Sequence, residues 1–146
     1  MITWVKKWAL LRTLPILLVA LVPVASQADV VIIGNKSISV DSITAKQAKK
    51  LWLGKLKKLG GIKITVVDQT AGNPVFETFY TSVVKKNPSQ LKAYWAKVSF
   101  TGKAFPPKQL KDDAAIIKWV ASNPGALGYV DSSAVNDTVK SLLTAK

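Results

Sequence analysis

Short, wholly apolar runs alternate along this chain with longer stretches whose apolar residues recur at helical spacing. VVIIG, at Val30–Gly34, is β-branched and ends at glycine, which predicts a strand buried on both faces. Beyond it, Ala48, Leu51 and Trp52 share one helical face, and Thr44 with Gln47 three residues later forms a capping box. These signals predict a helix over Ala45–Leu53, stopped by Gly54. Lys55–Gly61 reads as a basic, glycine-ended turn, and Ile62–Asp68 as a second strand with a buried centre.

Asn73 is a good N-cap and Pro74 suits the first helical position. Val75, Phe76, Phe79, Tyr80, Val83 and Val84 then make a broad apolar stripe. Asn87-Pro88 repeats the start signal for a helix lined by Leu91, Tyr94, Trp95 and Val98. Phe100–Leu110 reads as a loop with paired prolines. Asp112 or Asp113 caps a further helix that turns Ile116, Trp119 and Val120 inward. In NPGALGYVD, Asn123-Pro124-Gly125 stops that helix and ALGYV re-enters the sheet. Gly128 is expected to allow close packing beside Trp119 or Tyr129, and Asp131 to cap a short helical turn at Ser132. The final TVKSLL fits a strand or a helix. The alternation predicts an α/β fold with a mixed sheet flanked by helices.

The first 28 residues stand apart. Lys6, Lys7 and Arg12 precede an apolar run from Leu14 to Ala25, and Ser26-Gln27-Ala28 puts small residues where a processing enzyme needs them. This is the layout of a secretory signal peptide cleaved before Asp29. A membrane anchor would need about 20 apolar residues, and this run is shorter. The expected organisation is a leader over 1–28 and one domain over 29–146, exported to a bacterial periplasm.

Removing the leader takes three bases and no acid from a formal net charge of +13, leaving +10. Every base that remains is a lysine, since Arg12 is the only arginine. The chain has no histidine and no cysteine. It therefore lacks an imidazole base, a thiolate nucleophile and any disulfide, and offers no guanidinium fork for phosphate.

Three sets of residues could carry chemistry. The turn after the Ile62–Asp68 strand leads straight into a helix, so Gln69, Thr70, Ala71, Gly72 and Asn73 would present backbone N–H groups at a positive dipole end. A small anion could sit there on those N–H groups, the Thr70 hydroxyl and the Asn73 amide. The second set is KKLWLGKLKK, where Lys49, Lys50, Lys55, Lys57 and Lys58 surround Trp52. It reads first as a solvated face, and the missing arginine argues against nucleic acid. The acids Asp68, Glu77, Asp112, Asp113 and Asp131 are scattered, and Ser132-Ser133 has no histidine to activate it. They support no catalytic residue, metal site or cofactor.

The order of motifs resembles a known family. ITAKQAKKLWLGK, ITVVDQTAGNPVFETFY, YWAKVSFTGKAFPP and NPGALGYVDSSAV together are similar to the periplasmic phosphate-binding proteins of ABC transporters, from Ile43 to about Leu143. The resemblance implies a type II periplasmic-binding-protein-like fold, of which this chain has room for about a single lobe. It also implies a non-enzymatic solute-binding protein that takes a small anion such as phosphate and meets a membrane permease. The family's turn carries an arginine and then Gly-Ser-Gly-Thr. Here the arginine's region reads Asp68-Gln69, Gly72 matches the first glycine, and Asn73, Pro74 and Val75 stand at the next three positions. Asp68 so close to the turn is expected to repel phosphate. An alternative reading is an interaction or adaptor protein without a small-molecule ligand. It would use the open face of its lobe or its lysine-rich surface to bind an outer-membrane protein, a permease, a second copy of itself or an anionic surface.

Overall fold

The structure is a computed structural model and describes residues 29–146. The leader expected over 1–28 lies outside the described residues. Among those described, no helix is long and apolar enough to cross a membrane.

The described residues open with β1 (Val30–Gly34), an interior strand of the sheet and fully buried. It pairs antiparallel with β6 (Ala126–Asp131) on one side and with β7 (Lys140–Ala145) on the other. β4 (Thr65–Gln69) lies parallel to β6 and to the edge strand β5 (Lys108–Leu110), giving a mixed sheet in the order β5-β4-β6-β1-β7. Strand alternation sends Val30 and Ile32 to one face and Val31 and Ile33 to the other, which is why a wholly apolar run suits a central strand. On the first face lie α1 (Ala45–Trp52) and α2 (Pro74–Phe79), whose last turn widens into a π-helix over Tyr80–Val84. α3 (Pro88–Phe100) packs outside them through Leu91 and Tyr94. α4 (Asp113–Ser122) covers the second face with Ile116, Ile117 and Val120.

The local start signals all form. Thr44 and Gln47 make a reciprocal capping box, as do Asn87 and Gln90. Asn73 caps α2 with Pro74 beside it, and Asp112 rather than Asp113 caps α4. Such caps contribute about 1 kcal/mol each. TVKSLL resolves as strand, within β7.

Five expectations need correction. Ile62–Asp68 is two strands. β3 (Ile62–Lys63) pairs back on β2 (Lys58–Leu59) across Gly60-Gly61, and buried Ile64 separates it from β4. The expected Lys55–Gly61 turn therefore contains a strand. The Phe100–Leu110 loop ends in β5, which has no apolar pattern of its own and owes its form to pairing with β4. On α4 it is Ile117 that is buried, while Trp119 is half-buried. The close approach at Gly128 is to α4: an added Cβ would lie 2.6 Å from Ile116 Cγ2 and 3.2 Å from Val120 Cγ2, rather than against Trp119 or Tyr129.

Candidate functional site

The C-terminal ends of the parallel strands β4, β5 and β6 lie together, and each runs into a helical N-cap: Asn73, Asp112 and Asp131. In open α/β sheets ligands gather at such ends. The turn from Gln69 to Asn73 sits here, as its sequence suggested, but its side chains behave differently from the expectation.

Gln69 does not face solvent. It is fully buried on the α4 face of the sheet and acts as the staple of the turn. Its Nε2 donates to Asp113 Oδ1 and to the Tyr129 carbonyl, and its Oε1 accepts from Asn73 Nδ2 at 3.1 Å. Asn73 Oδ1 in turn accepts from the Val75 N–H at 2.9 Å, so both ends of that amide are engaged. The Thr70 hydroxyl donates to the Leu110 carbonyl at 3.1 Å, tying the turn to β5. What remains open is the crest Thr70–Ala71–Gly72, all exposed. Gly72 has φ of +90° with nothing within 4 Å of an added Cβ, so its glycine serves the turn's left-handed backbone rather than a tight approach.

Asp68 is also corrected. Val66 and Asp68 point to the α1–α2 face, opposite Val67 and Gln69. The carboxyl is 3% exposed and turned away from the turn, so it does not repel an anion there. It accepts from Tyr80 Oη at 2.8 Å and from Tyr129 Oη at 3.0 Å, and Tyr129 Oη accepts from the Gln69 N–H at 3.2 Å. Phe79 stacks on Tyr129 at 3.8 Å, and Trp52 closes the nest at 4.9 Å from Phe79. Burial in this aromatic setting pushes the Asp68 pKa up to about 7, against the opposing effect of the tyrosine hydrogen bonds. Burial and then the adjacent Asp68 raise both tyrosines as well. Sequence inspection missed this group, although period-two alternation from Val67 already points Asp68 to the other face.

Asp112 and Asp131 at this end are engaged in structure, whereas Glu77 in the first turn of α2 is exposed. Asp112 Oδ1 accepts from the Ala115 N–H, and Asp131 Oδ1 accepts from the Ser133 hydroxyl and N–H. Those Ser133 bonds hold the Asp131 carboxyl below its usual range. Beside them, Glu77, Asp131, Thr78 and Thr81 line an open groove of about 410 Å³. Among the described residues no cluster of acids could hold a metal ion.

The fold is shared with solved structures. An ABC-type phosphate transport receptor from Vibrio cholerae matches 80% of this chain at a TM-score of 0.64 and 18% identity, over 47% of its own length. A phosphate ABC transporter substrate-binding protein from Clostridium perfringens, with bound phosphate, matches 80% of this chain at 0.60 and 20% identity, over 45% of its length. PstS from Borrelia burgdorferi matches 79% at 0.60 and 14% identity, over 47%. No family model matches the chain. The chain thus spans about half the length of these structures, and its five-stranded mixed sheet flanked by helices has the fold of that part of a phosphate-binding protein.

Proposed function

We infer that this chain is a non-catalytic binding module of the bacterial periplasm, whose ligand end is the Gln69–Asn73 turn. The observation that carries the reading is the shape of that turn on this fold. An exposed crest at Thr70–Gly72 leads into α2, while Asp68, Asp112, Asp113 and Asp131 accept internal hydrogen bonds and Glu77, in the first turn of α2, stays exposed. A small anion such as phosphate would meet backbone N–H groups and the helix end, without an arginine and without a free hydroxyl proton from Thr70, while Asn73 Nδ2 keeps one N–H beyond the one given to Gln69. Binding of that kind is weak and broad among small anions.

The non-catalytic reading is supported by the absence of histidine and cysteine and by the burial of the one strongly perturbed acid. Export rests on the leader pattern of residues 1–28, and partnership with a membrane permease on the likeness of fold. Amide spectra of 29–146 titrated with phosphate, sulfate and acetate test the site. Shifts at Ala71, Gly72 and Phe76 are expected at millimolar anion; an unmoved turn with all three anions would sink it.

A further inference from the structure

Basic and acidic residues are sorted into different parts of this molecule. Between Asp41 and Asp68 there are seven lysines and no acid, and between Glu77 and Asp112 seven more and again no acid. These two segments meet in space. Tyr94 Oη of α3 donates to the Leu53 carbonyl after α1 at 2.6 Å. Lys55 from one segment and Lys86 from the other both lie over the Tyr94 ring, at 5.8 and 5.4 Å. The single ion pair among the described residues, Lys140–Asp41, involves none of these fourteen lysines, so no ion pair neutralises them.

This basic pole carries the large apolar side chains that the fold leaves in water. Phe100, the last residue of α3, is 93% exposed, and Phe105 is 68% exposed. They belong to one six-residue stretch, FTGKAF, with Lys103 between them and Lys97 and Lys108 on either side. Phe105 also lines an open cleft of about 430 Å³ together with Lys57, Lys63 and Lys103. Neither phenylalanine has a place in either core. Exposed large apolar groups ringed by like charge mark a surface that something covers.

We propose that this pole docks onto an anionic phospholipid surface, with Phe100 and Phe105 entering the headgroup–acyl boundary and Lys57, Lys63 and Lys103 meeting lipid phosphates. The lysines supply long-range attraction to negative headgroups, each adding a little. The phenylalanines supply what a soluble polyanion cannot reward, an apolar interior. Two exposed phenylalanines in one short stretch that also bears lysine therefore favour a membrane over nucleic acid. The surface lies at the opposite end of β4 from the Gln69–Asn73 turn, so it stands whether or not that turn binds an anion.

Co-sedimentation of 29–146 with vesicles tests it, using phosphatidylcholine alone and phosphatidylcholine mixed with phosphatidylglycerol. Binding is expected to the mixed vesicles only, falling steeply with added salt. The variant Phe100→Ser/Phe105→Ser should keep the parent melting temperature and lose binding by about tenfold or more. Lys57→Glu/Lys103→Glu should lose it too. No binding to the mixed vesicles at low salt overturns the proposal. So does a phenylalanine variant that binds them as its parent does, because the pole would then be a general polyanion surface; heparin would compete equally with both proteins.

Discussion

At the C-terminal ends of β4, β5 and β6, Asp68, Asp112, Asp113 and Asp131 each accept a hydrogen bond that holds a turn, a cap or a core in place. At the opposite ends of the same strands, Lys57, Lys63 and Lys103 line an open cleft with Phe105 and reach solvent. At the first end four acids build structure and Glu77 alone of those named stays exposed; at the second the lysines are uncommitted. The fold places ligands at the first end, while this sequence puts its anion-attracting charge at the second. Charge committed to internal bonds cannot be spent again on a partner, so a large net charge says little until its location is known.

The comparison can be broken most directly at Asp68. Its pKa is about 7 in the fold against an ordinary value of 3.8, so the folded state holds the proton more tightly than the unfolded chain. Stability should therefore be full below about pH 4, fall as pH rises toward 7, and level off above it, a change on the order of 4 kcal/mol. With no histidine in the chain, no imidazole titrates in that window. Asp68→Asn should flatten the profile and raise stability above pH 7 relative to the parent, as followed by urea unfolding from pH 4 to 8. A parent profile already flat would show that the carboxyl is not held in an apolar nest.

Gln69→Ala sharpens the same point. It leaves the Asp113 carboxylate, the Tyr129 carbonyl and the Asn73 amide short of a partner, and should cost roughly 2–3 kcal/mol. Hydrogen exchange should rise across Thr70–Val75 beyond the global loss. Substitutions at the other end should be nearly silent in stability. Lys57→Glu/Lys103→Glu should stay within about 0.5 kcal/mol of the parent in the same unfolding assay. A large loss there would mean that the lysines are structural after all, and the contrast would collapse.

Features set by neighbours in sequence were readable in advance. Thr44 and Gln47, Asn73 and Pro74, Asn87 and Gln90 lie within one turn of each other, so local chemistry decides them. β5 was hidden because Lys-Gln-Leu carries no strand pattern and takes its conformation from β4, some forty residues earlier. The break at Ile64 was hidden for the opposite reason. An uninterrupted apolar run does not show where one sheet ends and another begins. At the site, the position of the Gln69–Asn73 turn was legible and its use was not. The partners of Gln69 lie 44 and 60 positions away, so its burial as a staple depends on tertiary structure. Asp68 was misjudged by counting its distance along the chain from the turn and overlooking the pleat.

The sorting of lysines from acids has a consequence for arrival as well as attachment. A body whose lysines are unevenly spread over its surface has a permanent dipole moment, and a charged plane exerts a torque on it over roughly a Debye length, about 8 Å at physiological salt. Approaching a negative bilayer, this protein turns before it touches. It comes to rest with the Phe100–Phe105 stretch toward the lipid and the Thr70–Gly72 crest pointing outward, toward whatever solute diffuses past.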